Sequence, residues 1–211
     1  MTTLILALDV TDKARAIAIA SRCAPDIDAI KVGYTLVLAA GLSIADELGD
    51  LDLPLIADFK VADIPNTSRL IAEEVFTSGY DALICQGFTG RDSVTACVGV
   101  AREYGGECFV VTEMSHPGAT EFFHGGTAER IAMLAKECDA DGIIAPATRP
   151  DRVASLKQLI GDLKIYSPGI GAQGGDIFTI SKIVDGIIIG RAIYDAEDPK
   201  EAALLFAGIR Q

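Results

Sequence analysis

Eight short aliphatic runs recur along the chain, and each is followed by a stretch with helical periodicity. The runs fall at 4–8, 29–32, 54–59, 82–85, 108–111, 142–145, 164–166 and 186–189. Each is brief, apolar and bounded by Asp, Gly or Pro, as a parallel strand buried on both faces should be. The helical stretches between them fall at 12–23, 35–48, 66–78, 91–103, 127–138, 151–160, 176–182 and 199–208. Several runs open on Asp-Ala or Asp-Gly: Asp28-Ala29, Asp81-Ala82, Asp141-Gly142 and Asp185-Gly186. This is weak internal repetition, one βα unit every roughly 20–35 residues. Eight such units predict an α/β fold, the (β/α)8 TIM barrel. A doubly wound open sheet fits less well, because no glycine-rich phosphate fingerprint follows the first run. A chain of 211 residues suits one such domain over 1–211, and no linker or low-complexity segment divides it.

Eighteen basic against thirty acidic residues give a formal charge of −12. Such a surface repels nucleic acid and anionic membrane, which disfavours both as partners. A phosphate ligand must then be captured locally, by backbone amides and a few placed cations. No run of about 18 apolar residues is present, and the opening MTTLILALDV reads as a first strand rather than a signal peptide. The five cysteines form no C-x-x-C pair and read as reduced thiols of a cytoplasmic protein. Four of them lie in apolar or helical runs. Cys85, at a strand end, is the one expected near a pocket.

In a barrel of this kind the chemistry sits at the C-terminal ends of the strands. There the sequence places Asp9 after the first run, Lys31 at the end of the second, and Asp58 and Lys60 at the end of the third, with Asp63 just beyond. Side chains alternate faces along a strand. Asp58 and Lys60 therefore share the face of Ile56, while Leu55, Ala57 and Phe59 turn toward the helices. By the same parity Asp9 goes with Ile5 and Ala7, and Lys31 with Ala29. Two carboxylates and an ammonium within six residues point to a site, since burying such charges is costly unless they pair.

The seventh run leads into Ser167-Pro168-Gly169-Ile170-Gly171-Ala172-Gln173-Gly174-Gly175, and the eighth into Gly190-Arg191. Loops at these two positions commonly form a phosphate site in such barrels. Glycines let backbone N–H groups approach an anion, and Arg191 supplies a bidentate contact. The long loop from Thr112 to Gly126 has the length of a mobile lid. His116 and His124 read as surface loop histidines, with no adjacent carboxylate pattern and no metal site between them.

The segments DFKVADIPNT, TEMSHPGA, SPGIGAQGGD and GRAIY resemble the orotidine 5′-monophosphate decarboxylase family, particularly its compact archaeal form. The likeness runs from ALDV to the last helix. The D-x-K-x-x-D element is shared with Mg²⁺-dependent 3-keto-gulonate-6-phosphate decarboxylases and hexulose-phosphate synthases, the alternative reading; the SHPG and GAQGG segments favour the orotidylate enzymes. The resemblance implies decarboxylation of orotidine 5′-monophosphate to uridine 5′-monophosphate without metal or cofactor. It implies a charged catalytic array of Lys31, Asp58, Lys60 and Asp63. Asp9 and Lys31 match the ribose-binding positions, and Ser115 the residue bonding the pyrimidine. Gln173 matches the bridge between base and phosphate. Arg191 and the backbone of Gly190 match the phosphate site, which also draws on Pro168, Gly169 and Ile170. Asp63, Ile64 and Thr67 match residues that reach a neighbouring subunit's site, which implies a homodimer with shared sites. Gln86 stands where some relatives carry His, and Ala147 where some carry Ser.

Overall fold

Every aliphatic run becomes a strand, and the eight strands close in chain order into a parallel barrel. The computed structural model describes residues 2–171 and 173–209. Met1, Ala172 of the glycine-rich loop, Arg210 and Gln211 lie outside the described residues. The strands are β1 (Thr3–Leu8), β2 (Ala29–Gly33), β3 (Leu55–Val61) and β4 (Ala82–Gln86), then β5 (Glu107–Val111), β6 (Gly142–Ile144), β7 (Lys164–Pro168) and β8 (Gly186–Ile189).

Around them run α1 (Lys13–Cys23), α2 (Tyr34–Ala40), α3 (Ile44–Gly49), α4 (Pro65–Thr77) and α5 (Arg91–Glu103). The circuit continues through α6 (Thr120–Phe123), α7 (Thr127–Glu137), α8 (Pro150–Ile160), α9 (Ile177–Ile180), α10 (Arg191–Tyr194) and α11 (Pro199–Ile209). Local chemistry sets several starts: the Asp12 carboxylate accepts from the Arg15 N–H at 2.7 Å, and Pro65 and Pro150 open α4 and α8. The single helix expected over 35–48 is two helices, because Gly41 takes φ 84° and ends the first. The stretch expected at 176–182 shortens to α9, capped by Asp176 through the N–H groups of Phe178 and Thr179. Helices α6 and α10 have four residues each, too few to leave a periodic pattern.

The expected parity holds. Leu4, Leu6, Leu8, Ile30, Val32, Leu55, Ala57 and Phe59 pack under the helices. Ile5, Ala7, Ala29, Ile56, Ile84, Val111, Ile144 and Ile188 fill the barrel. Its lower interior also holds the Phe109 and Tyr166 rings, stacked 4.3 Å apart. All five cysteines are free and buried. Cys85 does not face the barrel interior: strand alternation turns it to the helix layer, where its Sγ lies 3.8 Å from that of Cys108.

The repeated Asp at the strand entrances has a structural purpose. Asp28, Asp81, Asp141 and Asp185 stand just before β2, β4, β6 and β8. Their carboxylates accept from the backbone N–H of Leu4, Leu55, Cys108 and Ile165 at 2.7–2.8 Å. Each Asp N–H donates in return to the carbonyl of that same residue. Four reciprocal clamps thus tie β1 to β2, β3 to β4, β5 to β6 and β7 to β8 at the lower rim. Each fixes register where a slip would turn a strand inside out.

Candidate active site

The upper rim collects the charged strand ends. A cavity of about 250 Å³ is lined by Asp9, Lys31, Asp58, Lys60, Ser115, Pro168, Gly169, Ile170, Gln173, Gly190 and Arg191. These are most of the positions that the sequence singles out, gathered from six different strand ends. Below the charges, Ala7, Ile84, Val111, Ile144 and Ile188 form an apolar floor.

Asp58 is the hub. Its Oδ2 accepts from Lys31 Nζ at 2.6 Å and its Oδ1 from Lys60 Nζ at 2.6 Å, and Lys31 Nζ also lies 3.7 Å from Asp9 Oδ1. The Lys31 and Asp58 side chains are only 6% and 11% exposed, while that of Lys60 is 35% exposed at the open end of the row. Burial raises the Asp58 carboxyl pKa, but the two ammoniums outweigh it and hold the group below the ordinary carboxylate range. Burial likewise works against the Lys31 charge, yet Asp58 and Asp9 outweigh it and its pKa is raised. Lys31 and Asp58 therefore both keep their charges at neutral pH, and the Lys60 side chain faces the cavity at the open end of the row.

β3 reaches this arrangement by leaving regular strand geometry. Ala57 pairs with Leu83 and Val61 with Cys85, so four steps along β3 match two along β4. Lys60 sits in this bulge with φ 46°, a left-handed conformation that a non-glycine residue adopts at a cost of about 1–2 kcal/mol. Simple alternation gives the right face for Lys60, but the bulge aims it. Next to the array, Gly33 leaves room for Asp9: a Cβ at position 33 would stand 2.7 Å from Asp9 Oδ1. Neither the bulge nor this contact leaves a mark in residue spacing.

Across the cavity, Gly169 has φ 101°, and its carbonyl accepts from the Gly175 N–H at 3.0 Å, closing the glycine-rich loop on itself. A Cβ on Gly169 would meet Gln173 Oε1 at 3.2 Å, so the bare backbone lets Gln173 fold over the site. Exposed Arg191 starts α10 directly after Gly190, and Tyr194 of the same turn completes that wall.

Asp63, Ile64 and Thr67 do not line this cavity. They follow β3 into the start of α4, and Ile64 is 66% exposed. The turn is firmly built: the Asp63 carbonyl accepts from Ser68 Oγ at 3.0 Å and Ser93 Oγ at 2.7 Å, and its Oδ1 accepts from the Ile64 N–H at 2.7 Å. Gln86 is buried at the end of β4 with its Nε2 3.7 Å from Met114 Sδ, and Ala147 is buried against Gly175.

The β5 loop departs most from expectation. His116 is exposed, as a surface loop histidine should be. His124 is not such a residue: its Nε2 lies 3.2 Å from Oε1 of Glu113, a carboxylate with no exposed surface. Arg149 and Arg152 approach the same carboxylate at 3.1 and 2.6 Å. A Glu directly beyond the fifth strand was the available signal. Its partners are eleven or more residues distant, so spacing alone does not reveal them. Among the described residues, no group of three or more His, Cys, Asp or Glu gathers as a metal-binding set, and no helix is long and apolar enough to cross a membrane.

Known proteins match this architecture over its whole length. The enzyme named orotidine 5′-phosphate decarboxylase in Methanosarcina mazei is 58% identical over 204 residues, covering 96% of this chain and 92% of its own. That of Thermococcus kodakarensis is 48% identical over 203 residues, covering 95% and 92%. The crystal structure of the Methanocaldococcus jannaschii orotidine 5′-monophosphate decarboxylase, complexed with the inhibitor BMP, superimposes with a TM-score of 0.95 at 44% identity, covering 99% of this chain and 98% of that one. The family model described as Orotidine 5'-phosphate decarboxylase / HUMPS family matches residues 2–206. On these matches and on the barrel and charge row that accompany them, the chain belongs to the Orotidine 5'-phosphate decarboxylase / HUMPS family.

Proposed function

We propose that this chain, a single barrel domain over 1–211, decarboxylates orotidine 5′-monophosphate to uridine 5′-monophosphate, a step of pyrimidine biosynthesis. The observation that carries the reading is the row Asp9–Lys31–Asp58–Lys60 above an apolar floor, with a glycine-rich loop and an arginine completing the rim. Losing CO₂ from C6 of the pyrimidine leaves an electron pair in an in-plane orbital that the ring does not delocalise. The stabilising charge must then come from outside the ring, already in place. Lys60 supplies it. As the C6–carboxylate bond breaks, the ammonium faces the growing negative charge, then gives its proton to C6 and later recovers one from water. Asp58, at 2.6 Å, aims Lys60, and Lys31 holds Asp58.

Asp9 and Lys31 suit the ribose hydroxyls, Ser115 the pyrimidine edge and Gln173 the span from base to phosphate. Arg191, with the backbone of Pro168, Gly169, Ile170 and Gly190, suits the phosphate. In a surface of charge −12, such a cation is the local anchor that an anionic substrate requires. Binding remote from C6 then helps to order the loops over the site. Asp63, Ile64 and Thr67 do not line their own cavity, and Ile64 is exposed. That supports a homodimer in which they complete the partner's site, Asp63 standing beside the partner's Lys60. Five free cysteines support a reducing, cytoplasmic setting.

The test is the fall in absorbance as orotidylate becomes uridylate, followed with and without EDTA. Turnover undiminished by EDTA supports the reading. Activity lost on chelation and restored by Mg²⁺ points instead to the sugar-phosphate branch of the family.

A further inference from the structure

Glu113 follows β5 directly, has no exposed surface and borders the cavity together with Met114 and Ser115. A carboxylate so far from water is stable only when fully partnered. Its Oε2 accepts from Arg152 Nε at 2.6 Å; its Oε1 faces Arg149 Nη1 at 3.1 Å and His124 Nε2 at 3.2 Å. These partners come from α8, from the residue capping it and from the residue closing α6. Arg152 is held in turn by Glu129 at 3.3 Å.

Arg149 uses its remaining donors on the loop itself. Nη1 donates to the Met114 carbonyl at 2.8 Å and Nη2 to the His116 carbonyl at 3.2 Å. A planar guanidinium presents its donors in a fixed fork, so it sets the distance and angle between those two carbonyls. Ser115 lies between them. Just before Glu113, Thr112 anchors the chain to β6, its N–H and Oγ1 both donating to the Ile144 carbonyl at 3.1 and 2.9 Å. The segment carrying Ser115 is thus fixed on both sides, and the fork is held where Glu113 puts it.

We infer that Glu113 is a positioning residue for base recognition: through Arg149 it fixes the backbone on either side of Ser115 and so aims that hydroxyl at the pyrimidine. This deepens the decarboxylase reading and rests on it. Arg149 borders a shallow pocket with Gln173 and Arg191, but its hydrogen bonds and ion pair go to Glu113 and the segment around Ser115, so loss of the clamp weakens recognition of the base more than recognition of the sugar phosphate.

The experiment uses the full chain with Glu113→Gln, which keeps the shape and removes the charge, and Arg149→Lys, which keeps the charge and removes the fork. Affinities for uridine 5′-monophosphate and ribose 5-phosphate are measured by calorimetry, alone and combined with Ser115→Ala. The clamp predicts about tenfold weaker uridylate binding, with ribose 5-phosphate changed less than about twofold. It also predicts no further loss when either variant is added to Ser115→Ala. Equal weakening of both ligands, or losses that add to Ser115→Ala, would overturn it. Amide hydrogen exchange over 114–118 gives a reading that needs no ligand: faster exchange in the variants supports the clamp, and unchanged exchange refutes it. If Glu113→Gln does not fold, Arg149→Lys decides by both measurements. Orotidylate turnover by the unaltered chain is the separate check on the decarboxylase reading, so the two failures are distinguishable.

Discussion

Lys60 reaches back 2.6 Å to Asp58, two residues earlier on the same strand, from a left-handed backbone. Two residues apart on a regular strand, such side chains would stand side by side on one face. The bulge between Ala57 and Val61 instead turns Lys60 over the barrel mouth. The strain of that turn is held by the strand on either side and by the ion pair itself.

Replacing Lys60 separates charge from strain. Lys60→Ala should lower turnover of orotidylate by at least about a thousandfold, while uridylate binding stays within about tenfold of the unaltered chain. Lys60→Gly should be as inactive, yet more stable than Lys60→Ala by about 1 kcal/mol in urea unfolding, because glycine accepts φ 46° freely. Near-normal turnover in either variant would remove Lys60 from its assigned role.

The charge row also fixes a pH dependence. Asp58 has a folded pKa below its ordinary value. Its contribution to stability is complete above the unfolded value of about 3.9 and is lost as pH falls through the folded value. Lys31 has a folded pKa above its ordinary value, so its contribution is complete below about 10.4 and is lost as pH rises through the folded value. The stability difference between the unaltered chain and Asp58→Asn should then be constant from about pH 5 to 9 and shrink below about pH 4. Urea titrations across that range measure it, and a difference that drifts within the plateau would contradict the assignment.

Gly33→Ala tests the room left for Asp9. The new methyl would stand 2.7 Å from the Asp9 carboxylate and must push it away from Lys31. We expect KM for orotidylate to rise about tenfold with a smaller change in kcat. Asp9→Asn should give the same pattern, and the two changes together little more. An unchanged KM would show that the carboxylate shifts without consequence.

The lower rim is open to the opposite test. Asp141→Ala removes the acceptor of the Cys108 N–H and should cost about 1–2 kcal/mol of stability. Because the clamp is at the far end of the barrel from the charge row, kcat/KM at low temperature should stay unchanged. A loss of activity in the folded protein would mean that the two rims are coupled.

Hybrid dimers test the sharing of sites. Lys60→Ala and Asp63→Ala chains are each expected to be nearly inactive alone. Mixed after mild dissociation, they should recover roughly a quarter of the normal rate, since half the dimers are hybrids with one intact site of two. No recovery on mixing, with exchange of chains shown independently, would place Asp63 in its own subunit's site.

Much of this molecule was legible because its rules are local. A strand buried on both faces must be an aliphatic run, and all eight were readable as such. Parity then put Asp9, Lys31, Asp58 and Lys60 at one mouth, where the structure also has them. The misses have two causes, backbone angles that spacing does not fix and partners distant in the chain. The break at Gly41 needed backbone angles, and the turn of Cys85 toward Cys108 needed the exact strand end. The burial of Glu113 needed Arg149 and Arg152, which arrive from beyond the next strand. Gly33 looked like any glycine until Asp9 was seen against it.

The four aspartate clamps recast the barrel as four staves, each a pair of strands locked at its base. Within this chain the bases are alike and the tips are not. One stave ends in Asp9 and Lys31, the next in Asp58, Lys60 and Gln86, the third in Glu113 and Ala145, and the last in Gly169 and Arg191. Pairing within each stave is settled at the end that does no chemistry. The tips are therefore free to differ, and a new ligand could be accommodated by rebuilding one stave's tip while every stave stays locked at its base.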